Sequence, residues 1–104
     1  MASNHYLYIL HSEKFDKYYV GETNNIAQRI ITHNTTDRKT YTSKYRPWEV
    51  VALFEVKDRA TARKCERFIK KQKSRKFIIQ IINGLEFNSS SVLAQLVRVP
   101  ISRD

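Results

Sequence analysis

The sequence has 104 residues, of which 41% are hydrophobic, so it can form one domain with a small core and has little room for a second. Lysine and arginine number 19 against 10 acidic residues, and the resulting net charge of +9 favours a polyanionic partner, nucleic acid first and a ribosome contact or anionic membrane surface second. A single cysteine, Cys65, excludes an intramolecular disulfide. With neither a leader-like N-terminus nor an apolar run of about 18 residues, the pattern predicts a cytoplasmic protein without a membrane segment.

The first half of the chain predicts a β-hairpin followed by a helix. Strand-forming residues occupy 6–10 and 17–22, and the polar residues between them predict a turn longer than two residues. Thr23 and Asn24 can cap a helix that runs to about His33. Its inward-facing residues at helical spacing are Ile26, Ala27, Ile30 and Ile31. Residues 34–48 are polar and irregular and contain Pro47, so they predict a long loop.

The second half predicts one strand and two helices. Residues 49–56 have the composition of a strand. Asp58 can cap a helix over about 59–73, whose predicted inner face consists of Ala62, Cys65, Phe68 and Ile69. Ser74 can cap a further helix that ends at Asn83-Gly84. The order β-β-α-β-α-α indicates an α+β fold with a three-stranded antiparallel sheet flanked by helices.

Residues 3–84 therefore form the predicted domain, and residues 85–104 form a predicted C-terminal tail. The periodicity is lost after Leu85, which favours a tail whose residues 88–104 neither folding nor activity requires. The alternative is a short amphipathic helix that uses Leu93, Leu96 and Val97 to pack on the core or on a second subunit.

Positive charge is concentrated in residues 57–76, where ten lysines and arginines accompany only Asp58 and Glu66. A solvated helix face is the usual explanation of such a run. Because so dense a set of cations repels itself, we favour a phosphate-binding surface. Its predicted nucleic-acid-binding members are Arg63, Arg67, Lys70, Lys71, Lys73, Arg75 and Lys76.

Each candidate reactive residue has a structural and a chemical interpretation. Glu66 lies at the edge of its helix's apolar face and can either pair with Lys70 one turn later or bind a hard divalent cation. Arg29 and His33 are four residues apart, so they share one helix face, which we expect to point away from the core; they are either surface residues or a phosphate fork beside a proton carrier. Tyr8 and Tyr19 lie on the two strands of the predicted hairpin, where they can either pack together or transfer protons.

The spacing of these residues resembles a known family. From Tyr19 the chain reads Y-V-G-E-T-N-N-I-A-Q-R-I-I-T-H, similar to the second motif of the GIY-YIG endonuclease superfamily, Y-[IV]-G-x-T-x-x-[hydrophobic]-x-x-R-[hydrophobic]-x-x-H. The seven matching positions are Tyr19, Gly21, Thr23, Ile26, Arg29, Ile30 and His33. Upstream, L-Y-I-L resembles the first motif with Tyr8 as its tyrosine, although Tyr6 replaces the motif's glycine. The stretches Y-T-S-K-Y-R-P-W and K-K-Q-K-S-R-K resemble the small stand-alone branch, which is similar to the N-terminal domain of the excision-repair nuclease.

This resemblance implies a metal-dependent endonuclease that cuts nucleic acid, with DNA favoured over RNA, and that acts as a monomer or weak homodimer. It implies one divalent metal, Mg²⁺ or Mn²⁺, held by Glu66. Tyr8 would accept the proton of the attacking water, with Tyr19 and His33 assisting or relaying, and Arg29 would hold the phosphate oxygens.

Two further features follow from the resemblance. Gly21 would allow the backbone to approach the site closely. The family's late asparagine has Asn83 and Asn88 as its nearest candidates here.

The alternative function is a non-catalytic, basic nucleic-acid-binding module of the same fold. A membrane-surface protein is the weakest interpretation.

Overall fold

An antiparallel sheet with helices on both faces organises the chain in the computed structural model, which describes residues 4–101. The elements in chain order are β1 (His5–Ser12), β2 (Lys17–Thr23), α1 (Ile26–Thr35), α2 (Tyr41–Lys44), β3 (Glu49–Val56), α3 (Arg59–Lys71), α4 (Arg75–Ile82), a 3₁₀ helix (Val92–Gln95) and β4 (Val97–Arg98). Residue 3 of the predicted domain and residues 102–104 of the predicted tail lie outside the described residues.

The strands lie in the order β2-β1-β3-β4, with every neighbouring pair antiparallel. The predicted α+β class and the antiparallel sheet flanked by helices are confirmed, and the two-residue β4 adds a short fourth strand. β1 is an interior strand, and its Tyr8 lies opposite Gly21 of β2 and Leu53 of β3. β2 is an edge strand, so helices from both faces can approach its outer side.

Each face of the sheet has its own apolar core, as strand alternation requires. On one face, Leu7, Ile9 and Val20 pack with residues of α3, α4 and the 3₁₀ helix. On the other face, Tyr8, Leu10 and Trp48 pack with Ile26 and Ile30 of α1. The side chains of Tyr8 and Tyr19 therefore lie beneath α1. Within residues 4–101, no helix is long and apolar enough to cross a membrane.

The helix caps were mostly predicted correctly. The side chains of Asp58 and Ser74 accept the expected backbone N–H bonds at the starts of α3 and α4. The cap of α1 is Asn25, one residue later than predicted, and its side chain accepts the N–H of Gln28. α3 stops at Lys71 rather than continuing to Lys73, because Lys73 adopts a left-handed backbone conformation with φ of 49°.

The inner face of α1 differs from the prediction. Ile26 and Ile30 pack on the sheet as expected, but Ile31 is 54% exposed and Ala27 is exposed as well. His33 is buried, so the expectation that it points away from the core was wrong. The reason is geometric: positions 26, 30 and 33 form one stripe at helical spacing. Phe68, expected inside α3, is 38% exposed, whereas Ala62, Cys65 and Ile69 are buried.

The predicted loop over residues 34–48 contains the one-turn helix α2 and is firmly held. The indole N–H of Trp48 donates to the carbonyl of Thr42 at 2.7 Å. The Asn34 side chain bonds both the N–H and the carbonyl of Trp48. Arg46 donates to three backbone carbonyls, those of Ser43, Asn34 and Thr36. These bonds replace the strand or helix ladders that an irregular segment lacks.

The segment after Gly84 packs against the domain. Leu93 is 1% exposed and belongs to the core under α3. β4 pairs with β3, and the Arg98 guanidinium donates to the carbonyls of Ile81 and Ile82. Leu93 therefore packs on the core, as the alternative prediction for this segment holds, and does not lie in a free tail.

We expect Leu93→Ala to lower the free energy of unfolding by about 2–5 kcal/mol, since the change leaves a cavity at a buried leucine. The matched control is Leu85→Ala at a leucine that is 39% exposed, with an expected effect within about 0.5 kcal/mol. Urea unfolding curves measure both. Equal, small effects would mean that the segment after Gly84 is dispensable for folding.

Candidate active site

Tyr8 is the buried centre of the candidate site. Its side chain is fully buried, and its phenol oxygen lies 2.8 Å from Nε2 of His33. It lies across the backbone of Gly21 on the neighbouring strand: a Cβ added at Gly21 would stand 2.5 Å from Cζ of Tyr8 and closer still to the phenol oxygen. Glycine at position 21, which has no Cβ, leaves room for this arrangement.

Burial controls the protonation of this pair. Burial is the main cause that raises the pKa of Tyr8 far above its ordinary value, and the neighbouring Tyr19 raises it further. The positive charge of Arg29 and a hydrogen bond from Arg29 lower this pKa in part. Burial, aided by Arg29, lowers the pKa of His33 from 6.5 to about 4. At neutral pH both groups are therefore uncharged, and the Tyr8 phenol can donate its proton to Nε2 of His33.

Tyr19 and Arg29 complete the inner part of the site. The Tyr19 ring is half-buried, 5.0 Å from the His33 ring and 6.3 Å from the Tyr8 ring. Arg29 belongs to the exposed side of α1 yet acts on the Tyr8 phenol. Arg29 also lines a polar cleft of about 250 Å³ with His5, Glu22 and Arg59, in which His5 bonds Glu22 at 2.5 Å. The sequence reading did not single out this neighbouring cluster.

Glu66 reaches the same site from α3. Its carboxylate is 21% exposed, and its charge acts on Tyr8. Oε2 of Glu66 accepts a hydrogen bond from the Lys70 ammonium at 2.6 Å. Glu66 thus forms the ion pair with Lys70 that was one of its two interpretations. The same ammonium lies 5.0 Å from the centre of the Tyr19 ring, which places the pair beside the tyrosines.

Carboxylate and imidazole groups are sparse around the tyrosines. Residues 4–101 contain no group of three or more His, Cys, Asp or Glu side chains placed to enclose a metal. Glu66 is the carboxylate whose charge acts on Tyr8. Asn83 caps the end of α4, and Asn88 bonds Ser90 in a turn, so neither asparagine joins the tyrosines.

The predicted basic surface is exposed, although Lys70 and Arg75 also make contacts within the fold. Arg63, Arg67, Lys71 and Lys76 are exposed on α3 and α4, as are Lys70 and Lys73. Arg75 is engaged within the fold: it forms an ion pair with Asp16 at 2.5 Å and stacks on Tyr18 at 5.0 Å. It therefore fastens the β1–β2 turn to α4, a contact over 59 residues of sequence that no local pattern indicates.

An aromatic group that the sequence reading did not assign adjoins the site. The ring of Tyr41, the first residue of α2, stacks with Tyr19 at 6.2 Å and 28° and meets Tyr45 at 5.0 Å. Tyr41 is 46% exposed. The Y-T-S-K-Y stretch, with two tyrosines close together in a polar segment, is its signal in the sequence.

Comparison with known proteins agrees with this geometry. Residues 4–78 match the GIY-YIG catalytic domain, which covers most of the chain. The chain is also 30% identical over 70 residues to the UPF0213 protein YazA of Bacillus subtilis (strain 168), an alignment that spans 67% of this chain and 70% of that protein. GIY-YIG domains are nucleases and act on nucleic acid. The chain therefore belongs to the GIY-YIG catalytic domain family.

Proposed function

We propose that this chain is a metal-dependent endonuclease that hydrolyses phosphodiester bonds, with DNA favoured over RNA. The observation that carries the proposal is the convergence of Tyr8, His33 and Arg29, with Glu66 reaching them from the opposite helix layer. Two neutral proton carriers in hydrogen-bond contact, an arginine and a carboxylate are the groups that phosphodiester hydrolysis needs in one place.

Tyr8 and His33 would move the proton. In the free protein Tyr8 is a neutral phenol, a poor base by itself. His33 is neutral too, so it can take the phenolic proton while the Tyr8 oxygen receives a proton from the attacking water. Their 2.8 Å contact makes this relay a single short step. Tyr19, with its ring beside both groups, would orient the nucleophile or assist the relay.

Arg29 would bind the scissile phosphate. A guanidinium can donate two parallel bonds to phosphate oxygens and stabilises the negative charge that builds on them. Arg29 has a second role in this geometry, since its charge partly offsets the rise in the pKa of Tyr8 that burial causes and so eases release of the phenolic proton to His33. The exposed cations of α3 and α4 would hold the flanking phosphates of a nucleic acid bound by a monomer or weak homodimer.

One divalent cation, Mg²⁺ or Mn²⁺, fits the donor set at Glu66. Such ions are commonly held by one or two carboxylates, with water and substrate phosphate completing the shell, so a lone carboxylate is sufficient. When bound, the ion would stabilise charge on the scissile phosphate and the leaving oxygen. Lys70, which bonds Glu66 in the free protein, would have to release it.

That Lys70–Glu66 pair is also the observation that favours the alternative, a non-catalytic nucleic-acid-binding module. In such a module Glu66 would only moderate the charge of α3, and the tyrosines would only pack. The two functions differ in whether a divalent cation changes the nucleic acid.

The test is incubation of the chain with labelled single-stranded, duplex and branched DNA and RNA. We expect internal cleavage of at least one substrate with Mg²⁺ or Mn²⁺, and none with EDTA. Binding of the same substrates is measured in parallel. Binding without cleavage under all metal conditions would favour the non-catalytic module, and cleavage that persists in EDTA would contradict the metal dependence.

A further inference from the structure

We propose that Tyr41 and Tyr45 form a base-stacking platform that receives an unpaired nucleotide beside the site of cleavage. The substrate class that follows is nucleic acid with a single-stranded stretch next to the scissile phosphate, rather than an uninterrupted duplex. This inference rests on the proposed function for the position of the cut, but the platform itself is defined by its own contacts.

The aromatic rings form a continuous row from the surface to the candidate site. Phe15 in the β1–β2 turn meets Tyr45 at 5.5 Å, Tyr45 meets Tyr41 at 5.0 Å, and Tyr41 meets Tyr19 at 6.2 Å. Tyr19 in turn lies 6.3 Å from the buried Tyr8. Since Phe15 and Tyr41 are 41% and 46% exposed, the outer end of the row is open to a ligand.

Two cavities meet at Tyr41. One, of about 410 Å³, lies between β2 and the helices α3 and α4, and the other, of about 610 Å³, lies along α2. Tyr41 lines both, and among residues 4–101 no acidic side chain lines either cavity. Volumes of this size suit a nucleotide-sized ligand.

Charge complementarity selects the occupant. Lys17 and Lys44 hold their ammonium groups 5.3 and 5.7 Å from the centre of the Tyr45 ring, and Lys70 does the same over Tyr19 at 5.0 Å. Flexible lysines over these half-buried rings can turn outward to phosphates when a base takes the open ring face. Aromatic rings for bases and cations for phosphates are the combination that binds single strands, whereas bases paired inside a duplex offer no free face to such a ring.

The platform is rigid before any ligand arrives. A capping box at Thr40 begins α2 directly before Tyr41, and the indole of Trp48 bonds the carbonyl of Thr42. Arg46 then ties the end of α2 to the end of α1 through the carbonyls of Asn34 and Thr36. Because these bonds fix the backbone that carries Tyr41, little backbone entropy is lost when a base stacks on its ring.

The test measures binding in EDTA, so it does not depend on cleavage. Fluorescence anisotropy compares wild type, Tyr41→Ala and Tyr41→Phe on single-stranded and duplex oligonucleotides, each as DNA and as RNA. We expect Tyr41→Ala to weaken single-strand binding about tenfold and to leave duplex binding within about twofold. Tyr41→Phe, which retains the ring, should bind as wild type does. Ile31→Ala, at an equally exposed apolar residue of α1, is the control for loss of surface apolar area.

Three outcomes would overturn the platform: an equal loss on single strands and duplex, no loss on either, or a loss with Tyr41→Phe as large as with Tyr41→Ala. A loss of single-strand binding with only DNA oligonucleotides, or with only RNA oligonucleotides, would restrict the ligand of the platform to that nucleic acid. A selective single-strand loss in a protein that cleaves nothing with Mg²⁺ or Mn²⁺ would retain the platform and reject the endonuclease.

Discussion

Glu66→Gln is expected to reduce cleavage by about 1,000-fold or more while leaving the fold and nucleic-acid binding intact. The glutamine retains the shape and one neutral oxygen but removes the charge that would hold a divalent cation, whose contribution to catalysis is several kcal/mol. Because a negative charge is also removed from a basic surface, binding should stay equal or tighten. Cleavage rates at saturating substrate, unfolding curves and Mn²⁺ binding by electron paramagnetic resonance measure the three effects.

The matched controls separate metal binding from ion pairing. Glu86→Gln removes the same charge from an exposed glutamate in the segment after α4 and should leave cleavage unchanged. If Glu66 served only to pair with Lys70, then Lys70→Ala would reproduce the loss of cleavage seen with Glu66→Gln. We expect Lys70→Ala to weaken binding and keep turnover at saturation within about tenfold. A Glu66→Gln protein that cuts at nearly the normal rate would end the metal-ligand assignment.

Gly21→Ala should damage both activity and stability, because the new methyl group would overlap the side chain of Tyr8. Overpacking of this kind costs about 1–3 kcal/mol of unfolding free energy. Displacement of the Tyr8 phenol by even an ångström from His33 should lower the cleavage rate by about 100-fold. Urea unfolding and single-turnover cleavage measure the two effects.

A double-mutant cycle identifies the cause. In a Tyr8→Leu background the clashing phenol ring is absent, so the stability cost of Gly21→Ala should fall well below its cost in the wild-type protein. The double mutant should remain inactive because it lacks the phenol. An unchanged stability cost in that background would show that Gly21 is required for a reason other than the packing of Tyr8.

The elements of this fold could be predicted because their signals are local. Runs of strand-forming residues identified β1, β2 and β3, and capping side chains placed the starts of α3 and α4 at Asp58 and Ser74. The motif spacing brought out Tyr8, Tyr19, Arg29 and His33 because a hairpin register and a helical turn convert fixed spacing into proximity. Glu66 depended on the family resemblance, since a carboxylate four residues before a lysine equally predicts the ion pair that the structure contains.

The features that could not be predicted depend on contacts between distant parts of the chain. The burial of His33 depends on which stripe of α1 meets the sheet, and the sequence offered Ile31 as an equal candidate. Arg75 appeared to be a free cation because its partner, Asp16, lies in a turn far back in the chain. Leu93 reaches the core from a single 3₁₀ turn, which is too short to show a hydrophobic period.

The interior position of β1 has a consequence for where the molecule can move. Tyr8 belongs to a strand whose backbone is paired on both sides, so we expect exchange of its amide hydrogen with solvent to be among the slowest in the protein. Arg29 and Lys70 belong to exposed helical positions that can readjust without opening of the sheet. The group proposed to handle the proton thus lies in the part of the protein that is expected to open least, while the two cations proposed to meet the substrate lie where side chains can readjust.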